Sequence, residues 1–201
     1  ALALVAAAAG LFLMGLDSVV SRETARRRDS VGQVYLSAAG PSVVWSVLVI
    51  LGLHLFALIT GYSARVRGLL WPIAFSSGLT ATLQLTRASF RGLGRMELDS
   101  LSRVLESVLV LAFTVAGILT RATLRRLVLI MLGARLVTLA VVQLVAARHF
   151  TFRFSLDASE VKRLVALALP IGVFGLFTGL YYRLDAIFLS IWRRELQVGY
   201  Y

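Results

Sequence analysis

A helix needs about 20 apolar residues to cross the ~30 Å hydrocarbon core of a bilayer, and this sequence offers one such run after another. Six can be marked: Ala1 to Leu16, Ala38 to Thr60, Leu69 to Leu85, Leu101 to Leu119, Leu127 to Ala147 and Leu164 to Ile191. Short segments rich in arginine separate them. Backbone N–H and C=O groups in hydrocarbon must be satisfied within the element itself, and the runs lack the strict period-2 alternation of barrel strands, so they are read as helices. Composition agrees: 59% of the 201 residues are hydrophobic and 15% charged, where a soluble domain carries about 25% charged residues. The expected fold class is all-α, a polytopic integral membrane bundle with six visible spanning helices.

The net charge of +11 invites a nucleic-acid reading, but such binders gather their basic residues on one face or arm of a water-soluble scaffold. Here the arginines sit in small groups between apolar runs, as topology signals and contacts to membrane-lipid headgroups, so no nucleic-acid partner is expected. Alternate connections share a side of the membrane. One set holds Arg22, Arg26, Arg27, Arg28, Arg87, Arg91, Arg95, Arg103, Arg148, Arg153, Lys162 and Arg163; the other holds Arg65, Arg67, Arg121, Arg125, Arg126, Arg193 and Arg194. Twelve against seven places the first set in the cytoplasm by the positive-inside rule. The chain opens inside an apolar run and closes as another element begins, so it is expected to be a fragment, with an odd number of spans ahead of it.

Proline placement refines the helices. Pro41 and Pro72 fall near the starts of their runs, where a missing N–H does no harm. Asp157 and Glu160 have the spacing of a capping box that starts the last helix near Ala158, which leaves Pro170 in its interior with Gly172 and Gly175 close by. A kink or hinge, or close packing through small residues, is expected there.

No cysteine is present, and the two histidines, His54 and His149, are too few and too far apart for a metal site. His54, inside an apolar run, is read as a packed, hydrogen-bonded side chain. The second-side connections, Gly61 to Gly68 and Thr120 to Arg126, are too short to hold an active site, and no nucleophile elbow or P-loop occurs. Chemistry therefore falls to ionisable residues in or at the ends of the spans: Asp17, Glu106, Arg135, Arg183 and Asp185. A charge in mid-span costs about 2.5–3.5 kcal/mol on insertion scales, so each should face a partner or a wet cavity. Arg183 and Asp185 lie about 200° apart around a helix and cannot pair with each other. Arg135 is a counter-charge for Asp185, and Asp17 or Glu106 for Arg183; Arg103 and Glu106, one turn apart, should form a local pair. Arginines in a wet cavity would bind an anion, a diphosphate above all because their planar fork gives bidentate hydrogen bonds. The carboxylates would bind H+ or Na+, with no other cofactor. Tyr182, three residues from Asp185, can hold that carboxylate or meet a sugar.

Three stretches carry a family likeness: LALPIGVFGLFTGLYYRLDAIFLSIWRRELQVGYY from Leu167 to Tyr201, GLDSVVSRETARR from Gly15 to Arg27, and RASFRGLGRMELDSLSRVLESVLVL from Arg87 to Leu111. In these the sequence resembles the polysaccharide-export and O-antigen flippases of the multidrug/oligosaccharidyl-lipid/polysaccharide exporter superfamily. The resemblance implies a larger transporter of two helical bundles in a V. Residues 1–147 would be spans two to six of the first bundle, residues 148–157 a cytoplasmic linker, and residues 158–201 span seven and the start of span eight. It further implies alternating access that carries a polyprenyl-diphosphate-linked glycan across the bacterial inner membrane, in company with a glycan polymerase or export partners. Arg183 and Asp185 match the R-x-D of the seventh helix. The rival readings are a cation-coupled drug exporter, which wants carboxylates rather than arginines in its cavity, a membrane enzyme of glycan assembly, which wants a large outer loop, and an assembly subunit whose charges are only ion pairs.

Overall fold

A computed structural model describes residues 12–62, 64–150 and 157–181. Among the described residues six α-helices follow in order: α1 (Leu16–Arg26), α2 (Val31–Ile59), α3 (Ala64–Gly92), α4 (Met96–Leu119), α5 (Leu124–His149) and α6 (Ala158–Tyr181), with a 3-10 turn, Arg28–Ser30, between α1 and α2. No strand occurs among the described residues. The expectation of an all-α membrane bundle is met. Three segments among the described residues are long and apolar enough to cross a membrane, Arg28–Ile59, Met96–Leu119 and Leu124–His149.

Residue placement is inside-out relative to a water-soluble bundle. On α4 the apolar residues Leu101, Val104, Val108, Leu111, Val115 and Ile118 recur at alternating steps of three and four, which puts them on one face, and that face is exposed. The opposite face of the same helix turns Asp99 and Ser102 inward. In water such a stripe would collapse onto another surface; in lipid it is already solvated.

α3 is the central post, packed against α1, α2, α4 and α5, while α6 leans on α1 and α2. The post is rich in hydroxyls that bond their own helix: Ser77 to the carbonyl of Ile73, Thr80 to Ser76, Thr82 to Gly78, Thr86 to Thr82 and Ser89 to Leu85. Such back-bonding lets polar side chains sit in an apolar setting without an unmet donor. The ends of α1, α3 and α5 and the starts of α2, α4 and α6 share one end of the bundle. Phe150 packs its ring against Tyr35 and Phe90 there, at centroid distances of 5.7 and 5.6 Å. The twelve-residue basic set therefore belongs largely to one end, and Arg26, Arg91 and Arg148 lie in last helical turns, where a cation meets the negative end of the helix dipole.

The prolines differ from the sequence expectation. α2 starts ten residues before Pro41 and α3 eight residues before Pro72, so both lie inside helices, as Pro170 does in α6. Hydropathy marks the stretch that suits hydrocarbon, whereas helix length is set by packing, and the polar start of α2 is held by buried Val31, Val34, Tyr35 and Ala38. The start of α6 at Ala158 agrees with the sequence: the Ser159 N–H donates to Asp157 Oδ1 at 2.9 Å. The Ser159 side chain and, after it, that backbone bond hold the Asp157 carboxyl below its ordinary range.

Candidate functional site

Three groupings built on arginine stand out among the described residues. At the arginine-rich end Glu23, 1% exposed on α1, accepts from Arg163 of α6 at 2.6 Å and from Arg26 at 3.5 Å. Arg163 also grips Glu160 through Nε and Nη2, at 3.1 and 2.9 Å, and Arg27 reaches Glu160 at 3.4 Å. This network ties α1 to the first turns of α6. The hydrogen bond from Arg163, then its charge and those of Arg26 and Arg27, hold Glu23 below its ordinary value against the opposing effect of burial; the two carboxylates raise Arg163. The folded value of Glu23 lies below the unfolded one, so the network stabilises fully above the ordinary value of about 4.5 and is lost as pH falls through the depressed folded value. Hydrogen exchange in the first turns of α6 is expected to accelerate on acidification below the ordinary value of about 4.5, and Glu23→Gln is expected to abolish that pH dependence.

The second grouping joins α3 to α4. Arg87, 3% exposed, donates from Nε to Ser102 Oγ at 2.8 Å and from Nη2 to the Ser102 carbonyl at 2.9 Å and to Glu106 Oε2 at 2.8 Å. Arg91 and Arg103 close on Asp99 at 3.5 and 3.2 Å. The expected Arg103–Glu106 pair is therefore corrected. Arg103 turns back one helical step to Asp99, and Glu106 faces α3, where Arg87 meets it. Arg87 was placed in a connection because its apolar run ends at Leu85; α3 continues to Gly92 and carries it inside.

The third grouping is in mid-bundle. Arg135 is the twelfth of the 26 residues of α5, about 16 Å along the helix. Its Nη1 donates to the Ser76 carbonyl of α3 at 3.2 Å and to Thr80 Oγ1, and its buried Nε has no partner. No carboxylate pairs with it among the described residues. A fixed cation thus sits half-buried, held by neutral oxygens, with one N–H unspent. Ser76 and Thr80 were not singled out from sequence; the signal that could have found them is the hydroxyl run of α3.

Glu106 is engaged as above, and Asp17, half-buried in the first turn of α1, has no ion-pair partner among the described residues. Gly172 is buried against Met14 and Gly15: a Cβ on it would lie 2.5 Å from the Met14 carbonyl oxygen. Gly175 is exposed. Tyr182, Arg183 and Asp185 lie outside the described residues, and with them the pairings expected for Arg183 and Asp185. His54 stacks on Trp71 at 4.9 Å, as a packed side chain should, but its buried Nδ1 has no hydrogen-bond partner. His149 uses Nδ1 on the Val145 carbonyl at 2.9 Å.

A family model described as "Polysaccharide biosynthesis protein" matches residues 1–201. The chain belongs to that family. This is the family of the polysaccharide and O-antigen flippase-type proteins that the sequence resembles. Membership ties the protein to polysaccharide synthesis, and with the spanning helices it makes this a membrane protein of that process. It supports a transporter's part rather than an enzyme's. No curated protein and no solved structure matches the chain.

Proposed function

We propose that the protein moves a polyprenyl-diphosphate-linked oligosaccharide across the bacterial cytoplasmic membrane by alternating access, with the arginine-rich end in the cytoplasm. The observation that carries this reading is Arg135, a mid-helix cation without a carboxylate partner among the described residues and with a spare buried donor. Such a group has an unmet demand for an anion, and a diphosphate has oxygens to meet it. The head group would pass Arg135, while the resemblance adds Arg183 as a further ligand from the seventh span, and the Tyr182 hydroxyl beside it would meet a sugar. Asp17 is the described carboxylate best placed for H+ or Na+ coupling, since Glu23, Asp99 and Glu106 are all engaged by arginines. The drug-exporter reading wants several free acidic groups in the cavity, and among the described residues Glu23, Asp99 and Glu106 are spent on arginines. A glycan polymerase or export component would receive the product.

The test is translocation of a polyprenyl-diphosphate oligosaccharide by the full-length protein in proteoliposomes. Arg135→Ala is expected to lower the rate about 10–100-fold at limiting substrate, the weight of one charge-assisted hydrogen bond, while insertion and thermal stability hold. Arg135→Lys, which keeps charge but not the fork, should recover part of it. An unimpaired Arg135→Ala protein, or a folded wild type that moves no lipid-linked glycan, would remove the reading.

A further inference from the structure

Between α2 and α6 a groove of about 620 Å³ opens on the flank of the bundle, at the arginine-rich end. Leu36, Gly40 and Pro41 form one wall, and Val165 and Leu169 the other. Lys162 stands among the lining residues as the single charge. The groove exists in part because α2 has no side chain at Gly40: a Cβ built there meets nothing within 4 Å.

Three properties define what fits. The groove runs beside a helix long and apolar enough to span the membrane, and its open side is uncovered among the described residues. Below Lys162 its lining runs to Leu169, about 10 Å along α6, within the ~15 Å depth of one leaflet. Its polarity is graded: apolar along its length, with Lys162 near the membrane surface. Lys162 is exposed and has no ion-pair partner among the described residues, whereas its neighbours Glu160 and Arg163 are committed to each other, to Glu23 and to Arg27. A molecule one leaflet deep, apolar below and anionic above, matches all three.

We infer that this groove is a binding site for a single anionic phospholipid of the leaflet at the arginine-rich end, its phosphate on Lys162 and an acyl chain laid along Val165 and Leu169 towards Pro41. The site is separate from Arg135 and does not depend on the transport reading. A lipid there would fill the seam between α2 and α6 and support α6 where Pro170 interrupts its hydrogen bonding.

The test uses the full-length protein in bilayers of phosphatidylcholine with a minor fraction of phosphatidylglycerol, one or the other carrying a photoactivatable acyl chain, and maps the crosslinked peptides by mass spectrometry. The phosphatidylglycerol probe is expected to label residues 36–41 and 161–169 in preference to the phosphatidylcholine probe. Lys162→Gln, an exposed change, is expected to cut that labelling about fivefold, the weight of one basic residue at a charged surface, and to leave phosphatidylcholine labelling unchanged. Gly40→Leu, which projects into open space, is expected to remove labelling from both segments in a protein of unaltered thermal stability. Equal labelling by the two lipids, indifference to Lys162→Gln, or labelling that survives Gly40→Leu would overturn the proposal. So would displacement of the phosphatidylglycerol probe by a trace of polyprenyl diphosphate, since the groove would then belong to the carrier lipid.

Discussion

Arg87→Ala is expected to destabilise the protein by about 2–4 kcal/mol, because the substitution leaves a mostly buried carboxylate, 17% exposed, without its partner. Three hydrogen bonds leave with the guanidinium, two of them to Ser102 and one to Glu106. The Ser102 hydroxyl keeps its own bond to the Asp99 carbonyl at 2.7 Å, so the damage concentrates on Glu106. Relief should come from deleting the stranded charge: Arg87→Met with Glu106→Leu is expected to recover most of the loss, since a buried ion pair replaced by apolar groups of similar volume is often near neutral. Reversible unfolding in lipid-detergent mixtures, run as a double-mutant cycle, reads both numbers. A loss under about 1 kcal/mol for Arg87→Ala would mean that water reaches the cluster and solvates Glu106. Arg103→Ala is the control: it is half-exposed and shares Asp99 with Arg91, so its cost belongs to the range of a surface pair, about 0–1 kcal/mol.

The contrast between Arg87 and Arg103 locates what could be read from the sequence. Apolar runs fix which stretches prefer lipid, and the bundle, its helical class and the gathering of basic residues at one end follow from them. The start of α6 is legible in the spacing of Asp157 and Glu160, although the bond Asp157 accepts comes from the Ser159 N–H and Glu160 turns to Arg163 and Arg27 instead. Arg87, Arg103 and Glu106 depend on a crossing. Which arginine meets Glu106 is set by the face that α4 turns to α3, and i,i+3 spacing on one helix is silent about the neighbouring helix. The same holds for Arg135. Its position in mid-span announced a cation that needed a partner, and a carboxylate was the natural expectation. Among the described residues its partners are a carbonyl and a hydroxyl of α3, supplied by back-bonded residues whose polarity looks, in sequence, like no more than a weak interruption of an apolar run. Hydropathy begins near Pro41 and Pro72 and so suggests helix starts there, while both helices begin earlier, α2 on the packed residues Val31, Val34 and Tyr35.

Gly92→Ala and Gly133→Ala are expected to move stability in opposite directions, although both add one methyl group to a helical glycine. A Cβ at Gly92 would lie 2.5 Å from the carbonyl oxygen of Ser21 and 2.6 Å from Thr24 Cβ. Ser21 presents backbone, which cannot swing away, so α1 must retreat from α3 at this crossing. Overpacking of this kind costs about 1–3 kcal/mol, and the retreat also pulls Glu23, two residues from Ser21, away from Arg163. The upper end of that range is therefore expected for Gly92→Ala, with Gly92→Val worse. At Gly133 on α5 a Cβ meets nothing within 4 Å, and the backbone gains the lower conformational entropy of alanine in the unfolded chain, worth roughly 0.5–1 kcal/mol of added stability. Thermal denaturation of the two variants, side by side, separates close helix packing from helix propensity. If both stabilise, α1 and α3 are not in contact at that crossing and the bundle is looser at its arginine-rich end. If Gly92→Ala destabilises as expected, α1 and α3 are locked there as one rigid unit, which is the property a bundle must have to rock as a body in the proposed transport cycle.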